Sequence, residues 1–161
     1  MNQSQKVLVA GTGLSGTAAA RLVLDRGGEV VLYDGNASLK EEEIKAKFDK
    51  EAKVSVVLGE MKRSDLLGVE LCIISPGIPL DSPFVAVVDD AKIPILGEIE
   101  LAYQCSLGRL AAITGTNGKT TTTALTGEIL KAKYEETFVV GNIGDPYTSK
   151  VLEMTEDSVT V

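Results

Sequence analysis

The stretch KVLVAGTGLSGTAAARLVLDRGGEVVLYD (residues 6–34) decides the fold. Its opening, Lys6 to Gly11, is a short aliphatic run ending in glycine, as a buried parallel strand requires. Ala18, Ala19, Leu22 and Val23 then recur at helical spacing, and Gly27 or Gly28 supplies the stop. EVVLYD (29–34) predicts a second strand. This order places Gly11, Gly13 and Gly16 as G-x-G-x-x-G, with Asp34 eighteen residues after Gly16. In a dinucleotide-type fold the first glycine permits the turn, the second admits a phosphate, and the third lets helix pack on strand. The pattern alone has two readings. One is a tight turn in any doubly wound sheet; the other is a nucleotide cradle, conventionally for NAD with Asp34 on a ribose.

The next residues extend the same alternation. Residues 36–53, NASLKEEEIKAKFDKEAK, predict a solvated helix whose charges form a surface face. VSVVLG (54–59) and ELCIIS (70–75) predict a third and a fourth strand. SPGIP (75–79) then turns sharply at a strand carboxyl end, where open α/β sheets bind ligands. Ser75 and Gly77 either offer a hydroxyl and an open backbone to a ligand or simply end the strand. SPFVAVVDDAK (82–92) predicts a helix and IPIL (93–96) a last strand, closing a domain near Leu96.

A second unit opens after an amphipathic helix over 97–108. RLAAIT (109–114) predicts a strand, and GTNGKT (115–120) a tight loop at a helix start. Here backbone N–H groups and the helix dipole suit a β-phosphate, Lys119 suits β/γ oxygens, and Thr120 suits Mg²⁺. The general G-x-x-x-x-G-K-[ST] loop would place its first glycine at Ile113, whereas this chain has it at Gly115, so the loop is shorter. TFVVGNIGDP (137–146) predicts a strand and a turn, in which Asn142 either presents an amide to a cleft or forms the turn. The final run, DSVTV (157–161), predicts a strand with an unpaired edge, and the region after Arg109 is expected to be partly disordered, rearranged or packed on another copy.

Composition narrows the class. With 44% apolar and only 4% aromatic residues, the chain predicts a globular protein with an aliphatic core. Sixteen basic against 23 acidic residues give a net charge of −7, which disfavours a nucleic-acid surface but not a local anion pocket. The chain has no histidine, so none of its residues acts as a histidine base. Two cysteines, Cys72 and Cys105, support neither a disulfide framework nor a zinc site. No apolar run reaches membrane-spanning length, and the expectation is a soluble cytoplasmic protein without membrane insertion.

GTGLSG (11–16), SPGIP (75–79), ITGTNGKTTTT (113–123) and GNIG (141–144), in that order and spacing, resemble the amino-terminal portion of the Mur ligases. The resemblance is greatest to the branch that adds D-glutamate to UDP-N-acetylmuramoyl-L-alanine in peptidoglycan synthesis; the alanine-adding branch usually has His where Asn117 stands. It implies α/β architecture: a Rossmann-like parallel-sheet domain over 1–96 that holds the UDP-substrate, followed over 97–161 by the incomplete start of a central P-loop, ATP-binding domain. Leu14 and Ser15 would then line the diphosphate–uridine site, and Asp34 with Gly35 the uracil end. Ser75, Pro76 and Gly77 would border the same nucleotide, with Asn142 towards the muramoyl moiety. Gly115, Thr116, Asn117, Gly118, Lys119, Thr120 and Thr121 would form the ATP loop, Lys119 acting catalytically and Thr120 holding Mg²⁺. The implied reaction is amide formation through an acyl phosphate. The family's further metal ligand, its carbamylated lysine and its amino-acid domain lie beyond these residues, so the chain alone is expected to be inactive. Alternatives are another Mur ligase or an NAD-binding dehydrogenase domain.

Overall fold

The computed structural model describes residues 5–141 and 144–161. Strands β1 (Lys6–Ala10), β2 (Glu29–Asp34), β3 (Val54–Leu58), β4 (Leu71–Ile74) and β5 (Ile95–Gly97) form one parallel sheet in the order β3-β2-β1-β4-β5. The chain builds outward from β1 through β2 to β3, then returns to add β4 on the other side of β1. Between β1 and β4 the winding reverses, which opens a crevice at their carboxyl ends.

Burial on both faces explains the aliphatic runs. Val7, Leu8, Val9 and Ala10 are completely buried. Successive side chains alternate faces: Val7, Val9, Val30, Leu32 and Ile73 join one cluster, while Leu8, Ala10, Val31, Cys72 and Ile74 join another. Helix α1 (Leu14–Asp25) covers the first face through Ala19, Ala20, Leu22 and Val23, beside α4 (Glu98–Cys105). Helix α3 (Pro83–Asp90) covers the second through Phe84 and Val88. Burial pushes the Cys72 thiol up to about 12, so it remains an inert apolar group.

The charged segment 36–53 does not form one helix. Only α2 (Glu41–Lys45) is helical, with Ile44 its one buried residue. Its ion pairs, Lys40–Glu43 and Lys45–Glu41, are solvent-exposed and contribute little to holding a longer helix. Beyond α2 the chain turns, so that Phe48 packs on the first cluster and Lys47 Nζ donates to Thr12 O at 2.9 Å.

A second parallel sheet has the order β6-β8-β7, from β6 (Arg109–Leu110), β7 (Thr137–Phe138) and β8 (Val159–Thr160). This overturns two expectations. The run at 109–114 pairs as a strand only through Leu110, and β8 occupies the centre of its sheet instead of an open edge. Helix α5 (Lys119–Lys131) packs beside β7, and a methyl on its Gly127 would lie within 2.4 Å of Val139 Cγ2. The approach to β8 is fixed by Glu136, whose carboxylate accepts from Thr155 Oγ1 at 2.7 Å and Ser158 Oγ at 2.8 Å. Those two hydroxyls hold the Glu136 carboxyl below its usual pKa, Thr155 contributing most.

The two sheets are tied together by α6 (Tyr147–Lys150), which lies against α1 and α4. Tyr147 Oη donates to Ser106 Oγ at 2.8 Å, and Glu98 Oε1 accepts from the amide and hydroxyl of Thr148. Glu98 is only 2% exposed, so its carboxyl requires such partners.

Gly16 is where helix and strand approach most closely. A Cβ there would lie 1.9 Å from Gly11 O, a backbone atom that has no room to move aside. Gly16→Ala is therefore expected to destabilise the fold by about 3 kcal/mol, the upper end for overpacking. Urea unfolding checks this; a midpoint equal to wild type contradicts it.

Candidate functional site

The crevice between β1 and β4 is a cavity of about 660 Å³. Its wall contains Leu14, Ser15, Asp34, Gly35, Ser75, Pro76 and Gly77, so seven positions singled out from sequence, on three separate loops, converge on one space. Asn142 lies outside the described residues. Tyr33, Ile78 and Phe84 supply an apolar wall, with the Tyr33 and Phe84 rings 4.7 Å apart.

Each loop reaches the cavity for a local reason. Gly11, at φ +103°, carries the chain out of β1 while its N–H remains bonded to Tyr33 O. Ser75 at the end of β4 donates its hydroxyl to Ala10 O at 2.7 Å, clasping the ends of the two central strands. That hydroxyl proton is committed, so towards a ligand Ser75 offers an acceptor. Pro76–Gly77 then turns away, and a Cβ at Gly77 would meet nothing within 4 Å. Gly13 is the N-cap of α1 and makes no side-chain cap hydrogen bond. The first N–H groups of α1 thus face the cavity without a side-chain acceptor, at the positive end of the helix dipole. Among the described residues no Lys or Arg lines this cavity, and Asp34 is the only charged wall residue. An anion placed here would meet backbone N–H groups and the Ser15 hydroxyl.

Thr12 and Lys47 are the residues that sequence reasoning missed. Thr12 Oγ1 donates to Asp34 Oδ2 at 2.7 Å and its amide to the same oxygen at 3.3 Å. Asn36 N–H donates to Asp34 Oδ1 at 3.0 Å. A threonine among the variable positions of G-x-G-x-x-G carries no signal of its own. Lys47 is hidden in a charge run that reads as surface.

The second loop is built differently. Gly118, at φ +76°, caps α5 in the left-handed region, where glycine alone is unstrained. Lys119 Nζ folds back onto Gly115 O at 2.5 Å and Thr116 O at 3.4 Å, and the side chain is exposed. Lys119 and Thr120 line a cavity of about 290 Å³ that shares no wall residue with the first. Gly115, Thr116, Asn117, Gly118 and Thr121 form the exposed surround of that helix start. The donor set, a cation, a hydroxyl and uncapped helix N–H groups, fits a polyphosphate. Among the described residues no three His, Cys, Asp or Glu side chains cluster to hold a metal ion, and no helix is long and apolar enough to cross a membrane.

A parallel sheet with a cavity at its switch point, followed by a lysine-bearing helix start, defines an α/β protein with two separate candidate anion sites. Residues 5–97 match the Mur ligase MurD-like N-terminal domain, and residues 113–161 match the Mur ligase middle domain. The chain belongs to the Mur ligase family. It is 48% identical over 159 residues to the UDP-N-acetylmuramoylalanine–D-glutamate ligase of Lachnospira eligens, covering 99% of this chain and 35% of the relative. It is 47% identical to the ligase of the same name from Lachnoclostridium phytofermentans, covering 98% of this chain and 35% of the relative. The chain thus spans about a third of the length of these relatives. Among solved structures, the pseudomurein peptide ligase type C from Methanothermus fervidus superposes with a TM-score of 0.54 at 23% identity, over 98% of this chain and 32% of that one, and shows the shared fold.

Gly13 provides a test of the first cavity. A Cβ there meets nothing within 4 Å, and its φ of −74° is accessible to any residue. Gly13→Val is expected to fold while blocking the approach of a diphosphate to α1. Calorimetry with UDP should show affinity at least about tenfold weaker, with a melting temperature near wild type. Undiminished binding contradicts the assignment.

Proposed function

We propose that the complete protein is an ATP-dependent cytoplasmic ligase that joins D-glutamate to UDP-N-acetylmuramoyl-L-alanine, and that this chain supplies two of its binding regions. Residues 1–96 take the UDP end of the substrate, and residues 97–161 begin the ATP-binding domain. The observation that carries this reading is the presence of two anion cradles of different design in one chain. One lies at a sheet switch point and has no Lys or Arg among its described wall residues; the other has the lysine and hydroxyl of a phosphate loop. A dehydrogenase domain has a use for the first and none for Lys119. The identity to D-glutamate-adding ligases across the whole chain favours that branch.

In this reading Leu14 and Ser15 receive the diphosphate at the start of α1, and Ser75, Pro76 and Gly77 close over it. Asp34 and Gly35 meet the uracil, and Asn142 lies towards the muramoyl group. ATP supplies the phosphoryl group that activates the substrate carboxylate. Lys119 exchanges its loop carbonyls for phosphate oxygens and offsets the negative charge that develops as the phosphoryl group moves. The Thr120 hydroxyl would help to hold Mg²⁺, which would offset negative charge on the phosphates. The D-glutamate site belongs to the remainder of the enzyme, so the chain alone turns over no substrate.

In the complete enzyme, Lys119→Ala is expected to slow phosphoryl transfer by about 2 kcal/mol or more, roughly 30-fold, with little change in binding of the UDP-substrate. Thr120→Ala raises the Mg²⁺ concentration needed. Release of ADP and phosphate in the presence of both substrates measures each effect. Wild-type rates in the Lys119 variant refute its role.

A further inference from the structure

The first cavity carries the dinucleotide fingerprint, yet its acidic residue is arranged for a different donor. We propose that Thr12 sets the specificity of this cavity: by occupying Asp34 Oδ2 it leaves the carboxylate one acceptor position, on Oδ1, which matches the single N–H of a uracil ring and not the vicinal diol of an NAD ribose. This rests on the reading of the cavity as a uridine-nucleotide site.

A carboxylate presents about four lone-pair sites, two on each oxygen. Thr12 N–H and Thr12 O–H both donate to Oδ2, at 3.3 and 2.7 Å, and Asn36 N–H donates to Oδ1 at 3.0 Å. Three of the four sites are filled within the protein, and the remaining one is on Oδ1. A ribose diol bound in bidentate fashion needs an acceptor on each oxygen, so its second hydroxyl would be left unpaired. A uracil imide has one N–H to place. A site with one acceptor therefore accommodates the imide fully and penalises the diol.

Thr12 does not readily release Oδ2. It is 7% exposed, so its hydroxyl has little recourse to water. Its carbonyl is held by Lys47 Nζ at 2.9 Å and by Thr17 Oγ1 at 3.3 Å, and Arg21 Nη2 in turn holds Lys47 O at 2.8 Å. Thr12 is thus fixed at its amide, hydroxyl and carbonyl. The inward turn after α2, which puts Lys47 on this carbonyl, supports the specificity of the cavity from behind. Thr12 lies in the cavity wall and acts as a positioning residue, through Asp34.

The test compares UDP and NAD by calorimetry on wild type, Thr12→Val and Thr12→Ser. Valine keeps the shape and removes the hydroxyl, freeing a site on Oδ2; serine keeps the hydroxyl. Wild type is expected to favour UDP. The valine variant should narrow the UDP-to-NAD affinity ratio by about tenfold, chiefly through tighter NAD, and serine should retain the wild-type ratio. A merely structural role would weaken both ligands together and leave the ratio unchanged. Thr12→Ala repeats the comparison should valine lower the melting temperature. An unchanged ratio in the hydroxyl-free variants, or a serine variant shifted as far as valine, overturns the role of Thr12 while leaving the uridine reading intact. Wild type that favours NAD overturns both.

Discussion

The first sheet is organised by the contact between Gly16 on α1 and the Gly11 carbonyl at the end of β1. No side chain fits between them: a single methyl would penetrate to 1.9 Å of the oxygen. This approach brings the start of α1 down to the sheet exactly where β1 and β4 diverge, so the helix N–H groups reach the floor of the crevice. Ser75 reinforces the same point by clasping Ala10 O from β4. The closeness of the α1 start to the cavity follows from that geometry. An anion placed at this helix start would meet backbone dipoles held rigidly by the sheet.

The second sheet depends on the first. Its strands are only two residues long, and Tyr147 of α6, with Val151 and Met154 just after it, packs into the same apolar cluster as Leu101, Ala102 and Cys105 of α4. The buried Glu98 then fixes the start of α6 through Thr148. Breaking that carboxyl contact would leave buried polar groups without partners, so the start of α6 is held against α4. The two sheets therefore share one apolar cluster, to which Phe138 of β7 also contributes.

The main architecture was legible because its signals are local. Aliphatic runs ending in glycine, helical spacing at Ala18, Ala19, Leu22 and Val23, and the Pro-Gly turn at 76–77 each specify their own element. The misreadings have a common cause in tertiary context. Charge composition alone suggested a helix through 36–53, but Phe48 and Lys47 gain more from the core and from Thr12 than from helical continuity. Likewise DSVTV has the composition of any β-strand, and nothing within it indicates that pairing with β6 and β7 places it centrally. The site shows the same division: glycines, Asp34 and Lys119 announce themselves by spacing, whereas Thr12 acquires meaning only from the oxygen it faces.

The central claim is that one chain holds two nucleotides at once, a uridine diphosphate over α1 and ATP over α5. Calorimetric titration of ATP–Mg²⁺ into protein already saturated with UDP tests it most directly. The account predicts one ATP bound per chain with UDP retained. Displacement of UDP by ATP, or its ready displacement by NAD, would contradict it.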